Sequence, residues 1–140
     1  MDGYADDPTI RDDAVLWRRV PVDPIHYVFD QNLGRVRPSS AAFEDSPDGT
    51  PMSVQLAQIV AETGRGPEDV LVGYHGFALA AITAGLSRGC RQGVARAPLP
   101  DEPAHAVVFG TKTRKIRGRL AKGSQWVIPP SSLPEQPAGS

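Results

Sequence analysis

The sequence predicts a single small α+β domain: a mixed or antiparallel sheet with two main helices. Short runs such as AVLWRRV and HAVVFG alternate in the period of half-buried strands. Two longer stretches, Pro51 to Thr63 and Thr111 to Lys122, space their apolar residues as amphipathic helices do. The 14 glycines and 14 prolines in 140 residues cut the chain into short elements, and 40% hydrophobic with 22% charged residues is the make-up of a globular protein. That length buries a core without disulfides or metal, and it allows one domain, spanning residues 14–129.

Met1 to Asp13 is acidic and without periodicity, and is expected to be a disordered N-terminus. Ala14 to Val20 reads as the first strand, with Val15, Trp17 and Arg19 on one side and Leu16 and Arg18 on the other. Arg19 therefore belongs at the strand's end or buried with a partner. His26 to Phe29 is a short second strand, closed by Asp30, Asn32 and Gly34. Gly66-Pro67-Glu68-Asp69 opens a short helix with acids in its first turn, and Val70 to Tyr74 is expected as a strand.

Ala78 to Ala84 is alanine-rich, yet its bounds at Gly76 and Gly85 favour a buried strand. Gly85 to Gly93 should turn the chain, with Arg88 and Arg91 outward and Cys90 between them. Val94 to Ala97 is an edge segment, and His105 to Phe109 is the clearest strand of the second half. Thr111 caps the helix to Lys122, which turns Ile116 and Leu120 inward, and Trp126 to Ile128 is a last strand. Residues 130–140 form a proline- and serine-rich tail, expected to be disordered.

The densest polar chemistry lies between Gly34 and Gly64. Arg35 and Arg37, two apart on an extended segment, face the same way, and two guanidinium forks suit a carboxylate or phosphate. Ser39 and Ser40 follow with hydroxyls that donate and accept. Thr50 before Pro51 has the form of a helix N-cap, with Gly64 as the stop, which puts Ser53 in the first turn, where an anion is favoured. Gln55, Gln58 and Glu62 then fall on the solvent side. Gly110-Thr111-Lys112-Thr113, between a strand and a helix, makes Lys112 a further anion ligand, but it lacks the glycine spacing of a P-loop. Lys115, Arg119 and Lys122 form a basic stripe on that helix that suits an acidic partner protein.

Other chemistry is poorly supported by spacing. Ser39, Ser40 or Ser53 with His75 or His105 and Asp101 can be written as a triad, but no G-x-S-x-G elbow singles out a nucleophile. His26, His75, Cys90 and His105 lack the paired spacing of zinc sites, so no metal or cofactor is expected. Aromatics at 6% are too few for a nucleic-acid stacking platform, and a sequence-specific nucleic-acid reader is not expected. No apolar run approaches 18 residues and the start lacks a signal-peptide layout, so a cytoplasmic protein is expected. Residues 1–70 hold thirteen acids against six bases and residues 71–140 three against nine, giving halves of −7 and +6 and the net −1. Such halves either attract each other in the fold or leave a basic surface.

The segments LWRR, RPSSAAFED, MSV and DEPAHAVVFG together resemble a set of small, uncharacterised bacterial proteins over about Leu16 to Ile128. Arg19, Arg35, Phe43 and Ser53 are also similar to the early-strand arginine, Gly-Arg segment, aromatic and hydroxyl of ADP-ribosyltransferase-like domains of the RES type. That family's strand-borne catalytic glutamate has no counterpart assigned here. The function expected is a binding or accessory module that engages a phosphate-bearing ligand or an acidic partner protein. The alternative is a small nucleotide-acting enzyme, and the residues alone leave catalysis open.

Overall fold

A computed structural model describes residues 3–130, which fold as an α+β domain of eight strands and four α-helices. The strands are β1 Val15–Pro21, β2 Tyr27–Asp30, β3 Arg35–Pro38, β4 Met52–Leu56, β5 Phe77–Thr83, β6 Gly93–Arg96, β7 His105–Phe109 and β8 Gln125–Ile128. The helices are α1 Ala57–Glu62, α2 Pro67–Val70, α3 Ala84–Gly89 and α4 Arg114–Lys122. Six strands form one sheet in the order β6-β7-β4-β1-β5-β8, while β2 and β3 make a separate hairpin, and every pairing is antiparallel.

Alternation along the strands divides the sheet into two chemically different faces. Leu16, Val20, Met52, Val54, Ala80 and Val108 point to one face, where Ile10, Phe43, Leu120 and Ala121 close the main core. Trp17 and Leu79 point to the other, onto a smaller cluster of Val60, Val70 and Ala104. Arg18 lies on the apolar side and is fully engaged there, donating to the carbonyls of Ala42 (3.0 Å), Ser53 (2.9 Å) and Glu44 (3.3 Å). Burial pushes its pKa down to about 10, so it remains a cation.

The opposed charges of the two halves meet in ion pairs. Arg88 reaches Asp6 and Asp12, Arg96 reaches Asp7, Lys112 reaches Asp45, and Arg117 reaches Glu44. Residues 3–13 accordingly do not stand apart from the domain as expected. Ile10 is in the core, and Asp6 and Asp7 bond the backbone of Val94. Of the tail, residues 131–140 lie outside the described residues.

Four local expectations are corrected. The helix expected over Pro51 to Thr63 is instead β4 followed by α1, because Met52, Val54 and Leu56 also satisfy a period of two and pair with strands on both sides. Val70 to Tyr74 is not a strand: Val70 ends α2, and the chain turns through Gly73 at φ +83°. Gly85 to Gly93 includes α3, capped by Thr83 Oγ1, which accepts from the Leu86 amide; Arg88 turns onto acids and Cys90 is buried. The cap of α4 is Thr113 rather than Thr111, which leaves Lys112 outside the helix.

Candidate functional site

The expected anion site on β3 is occupied by the protein's own acid. Arg37 Nε donates to Asp30 Oδ2 at 2.6 Å, and its Nη1 donates to the Pro38 carbonyl. The bond from Arg37 is the main reason that the Asp30 carboxyl lies below its ordinary range. Asp30 also accepts from the amides of Asn32 and Leu33, so it organises the hairpin turn. Arg35 stands opposite Asp30 in register and is half-buried. Ser39 Oγ donates to the Ile25 carbonyl, and Ser40 opens a single 3-10 turn, Ser40–Ala42. Phe43 is a core residue.

Lys112 is likewise unavailable to a ligand. Its side chain is 3% exposed, with Nζ 2.6 Å from Asp45 Oδ1 and 2.7 Å from the Val108 carbonyl. Burial lowers its pKa and Asp45 opposes that shift. Lys115, Arg119 and Lys122 are exposed and outside any ion pair among the described residues, as a docking stripe requires.

Ser53 does not sit at a helix start. It projects from β4 to the second face of the sheet and meets a residue 52 positions away, His105 of β7. Trp17, Gln55 and His105 form one row across β1, β4 and β7, and Arg19 and Ser53 flank that row on the same face. Beside them opens a cleft of about 200 Å³ lined by Arg19, Gln55, Arg65, Tyr74, Glu102 and His105. Val72 (74% exposed), Tyr74 (41%) and Leu99 (46%) give it an apolar rim. A larger cleft of about 560 Å³ runs between the N-terminal segment and α1, but both of its arginines are already paired, Arg11 with Asp13 and Arg96 with Asp7, and Glu62 accepts from Gln58.

Three features set the chemistry of the smaller cleft. Arg19 is half-buried, with Nε donating to the Val70 carbonyl at 2.8 Å and its guanidinium carbon 3.8 Å from the centre of the Tyr74 ring. Burial lowers its pKa, with Tyr74 and Glu102 acting the other way, and no carboxylate among the described residues lies within ion-pair distance. Gln55 is 1% exposed, and its enclosed Oε1 has no hydrogen-bond partner among the described residues. Arg65, by contrast, grips both oxygens of Glu102 at 2.9 and 2.7 Å, which holds the Glu102 carboxyl below its ordinary range.

His105 Nδ1 is 2.7 Å from the Ala97 carbonyl oxygen and Nε2 is 2.8 Å from Ser53 Oγ. His75 is exposed in a turn and His26 pairs with Asp23, so neither joins this group. Asp101 lines the cleft without bonding His105. No cluster of three or more metal-ligating side chains occurs among the described residues, and no described helix is long and apolar enough to cross a membrane.

The sequence brought Ser53 and His105 together only as one of several triads that could be written, and it put Gln55 on the solvent side of a helix. Arg65, Tyr74 and Glu102 escaped it altogether. The alternation in Met-Ser-Val-Gln-Leu was the available signal for Ser53 and Gln55. The chain matches no family model, and no curated protein or solved structure is significantly similar to it.

Proposed function

We propose that the protein is a small-molecule binding module, set in the bacterial cytoplasm, whose cleft takes a compact ligand bearing a phosphate or carboxylate. The single observation behind this is Arg19: a half-buried guanidinium whose fork has no carboxylate partner among the described residues. Partly burying a cation is unfavourable unless it is paired, and an incoming anion supplies the missing partner. Gln55 Oε1 adds a demand for a ligand donor, while Val72, Tyr74 and Leu99 accommodate an apolar or ring body. The cleft's 200 Å³ lies below the roughly 300–1,000 Å³ of drug-sized sites. It therefore takes a compact ligand, or one end of a larger one.

The test is calorimetric titration of inorganic phosphate, AMP, NAD+ and short dicarboxylates into wild type and Arg19→Met. Charge-assisted contacts are worth roughly 1.5–3 kcal/mol, so the substitution should weaken binding about tenfold or more. Equal affinity in both proteins for every probe that binds would refute the reading.

The partner-binding alternative rests on the exposed stripe of Lys115, Arg119 and Lys122, which form no ion pair among the described residues. The enzymatic alternative, an ADP-ribosyltransferase-like activity, retains Arg19 and Ser53 on one sheet face, while Phe43 lies in the core and Arg35 in the hairpin. Release of nicotinamide from NAD+ in the same titrations would favour it.

A further inference from the structure

We propose that Ser53 is a nucleophile activated by His105, and that the cleft hydrolyses small carboxylic esters carrying an anionic group. The inference rests on the reading of this cleft as a ligand site and adds a reaction to it. A carbonyl oxygen only accepts, so the 2.7 Å contact with Ala97 requires the proton of the neutral His105 ring to sit on Nδ1. Nε2 is then the lone-pair nitrogen, and the hydroxyl of Ser53, 2.8 Å away, is its donor.

A hydroxyl on a base, and the base on an orienting acceptor, is the arrangement that makes serine nucleophilic. Here each member sits on, or directly beside, a strand of one sheet. The direct cross-strand partner of His105 is Gln55, yet its imidazole reaches diagonally to Ser53. Gln55, in turn, is left with an enclosed amide oxygen that no described residue satisfies. His105, Gln55 and Arg19 all line the cleft, and Ser53 adjoins it through its bond to the His105 ring. No other described histidine offers this: His26 Nδ1 is taken by Asp23, and His75 is exposed in a turn.

The reaction balances without a further reagent. Ser53 Oγ passes its proton to His105 Nε2 as it bonds the ester carbon, and the carbonyl π pair moves to oxygen. When the carbonyl re-forms, the carbon–alkoxy bond breaks and the leaving alcohol takes the proton from Nε2. Water then attacks the acyl-serine, giving its proton to Nε2. The Ser53 bond breaks, Oγ recovers that proton, and the carboxylic acid departs. The net change is ester plus water to acid plus alcohol. Because Ala97 offers a neutral carbonyl rather than a carboxylate, it fixes the ring but stabilises the imidazolium less than an aspartate does. A slow hydrolase is expected.

The test treats the full chain with a fluorophosphonate probe and locates the adduct by peptide mass spectrometry, with p-nitrophenyl acetate hydrolysis as the rate assay. Wild type should be modified at Ser53, Ser53→Ala should not be modified, and His105→Gln should react about 100-fold more slowly or worse. Should His105→Gln fail to fold, Ser53→Cys keeps the geometry, and its thiol should be alkylated by iodoacetamide at least about tenfold faster than free N-acetylcysteine at pH 7. A folded wild type unmodified at Ser53, or an ordinary alkylation rate in Ser53→Cys, overturns the proposal. If Arg19-dependent probe binding persists in such a protein, the cleft binds without catalysis. Modification at Ser53 with no Arg19-dependent binding has the opposite meaning: the nucleophile stands and the anion site falls.

Discussion

Arg18 and Arg19 are adjacent in sequence and opposite in surroundings, so replacing each by methionine separates a structural from a functional cation. Methionine preserves an apolar stem of similar reach in both. Without Arg18, the carbonyls of Ala42 and Ser53 lose a donor in a part-buried setting at about 1–3 kcal/mol each, whereas the exposed carbonyl of Glu44 turns to water. Relief from burying a cation offsets part of that, leaving a net loss of about 3 kcal/mol. Each kcal/mol moves the Tm of a domain this size by about 4 °C, so Arg18→Met should melt about 12 °C lower. Arg19→Met forfeits one carbonyl bond and a ring contact worth about 0.5–1 kcal/mol, but releases a half-buried charge that lacks a carboxylate. Its Tm should stay within about 4 °C of wild type while anion binding falls. Thermal unfolding followed by circular dichroism decides the matter. Equal losses of Tm would mean that Arg19 is as structural as its neighbour, and the case for the cleft would collapse.

Arg37→Ala should lower Tm, because Asp30 loses its closest partner, yet it should leave cleft binding untouched; weakened binding would restore the hairpin as the ligand site. Acidification should destabilise the fold partly through Glu102. Its folded-state pKa is depressed below 4.5, so its contribution is full above that value and disappears as pH falls through the folded pKa. Unfolding curves between about pH 6 and 3 should therefore be flatter for Glu102→Gln than for wild type. Reversing Lys115, Arg119 and Lys122 to glutamate should change Tm by no more than about 3 °C. If the stripe docks an acidic partner, the same change should abolish a capture that weakens steeply with added salt. Unaltered capture would reduce the stripe to a solvated face.

Much of the architecture is written locally. β1, β5, β7 and β8 announce themselves because their alternation or short bounded apolar runs need only neighbours to be recognised. β4 was hidden by a coincidence: Thr50-Pro51 imitates a helix entry, and Met52, Leu56, Ile59 and Val60 satisfy the helical period as well as the start of a strand. That one misreading carried Ser53 and Gln55 to the wrong surroundings. The polar partners were hidden for a different reason, namely distance along the chain. Lys112 looks free until Asp45 arrives from 67 residues away, and Ser53 looks like a cap until His105 arrives from 52. The Asp30–Arg37 pair was nearer to hand, since an acid and a base flanking a tight turn meet across any hairpin.

The acidic arm at residues 3–13 also decides what kind of neighbour the sheet will tolerate. β6 is an outermost strand, and strands in that position expose backbone donors and acceptors to which a foreign strand can bond. Here Val94 has both groups occupied, its N–H by Asp6 Oδ1 at 2.9 Å and its carbonyl by the Asp7 amide at 2.8 Å. Arg88 and Arg96 hold the arm down by its carboxylates. A chain trimmed to Asp13 would uncover this row and present it to the same row on another copy. Proteolytic loss of this arm would then act as an aggregation trigger, and the arm as a built-in solubility device.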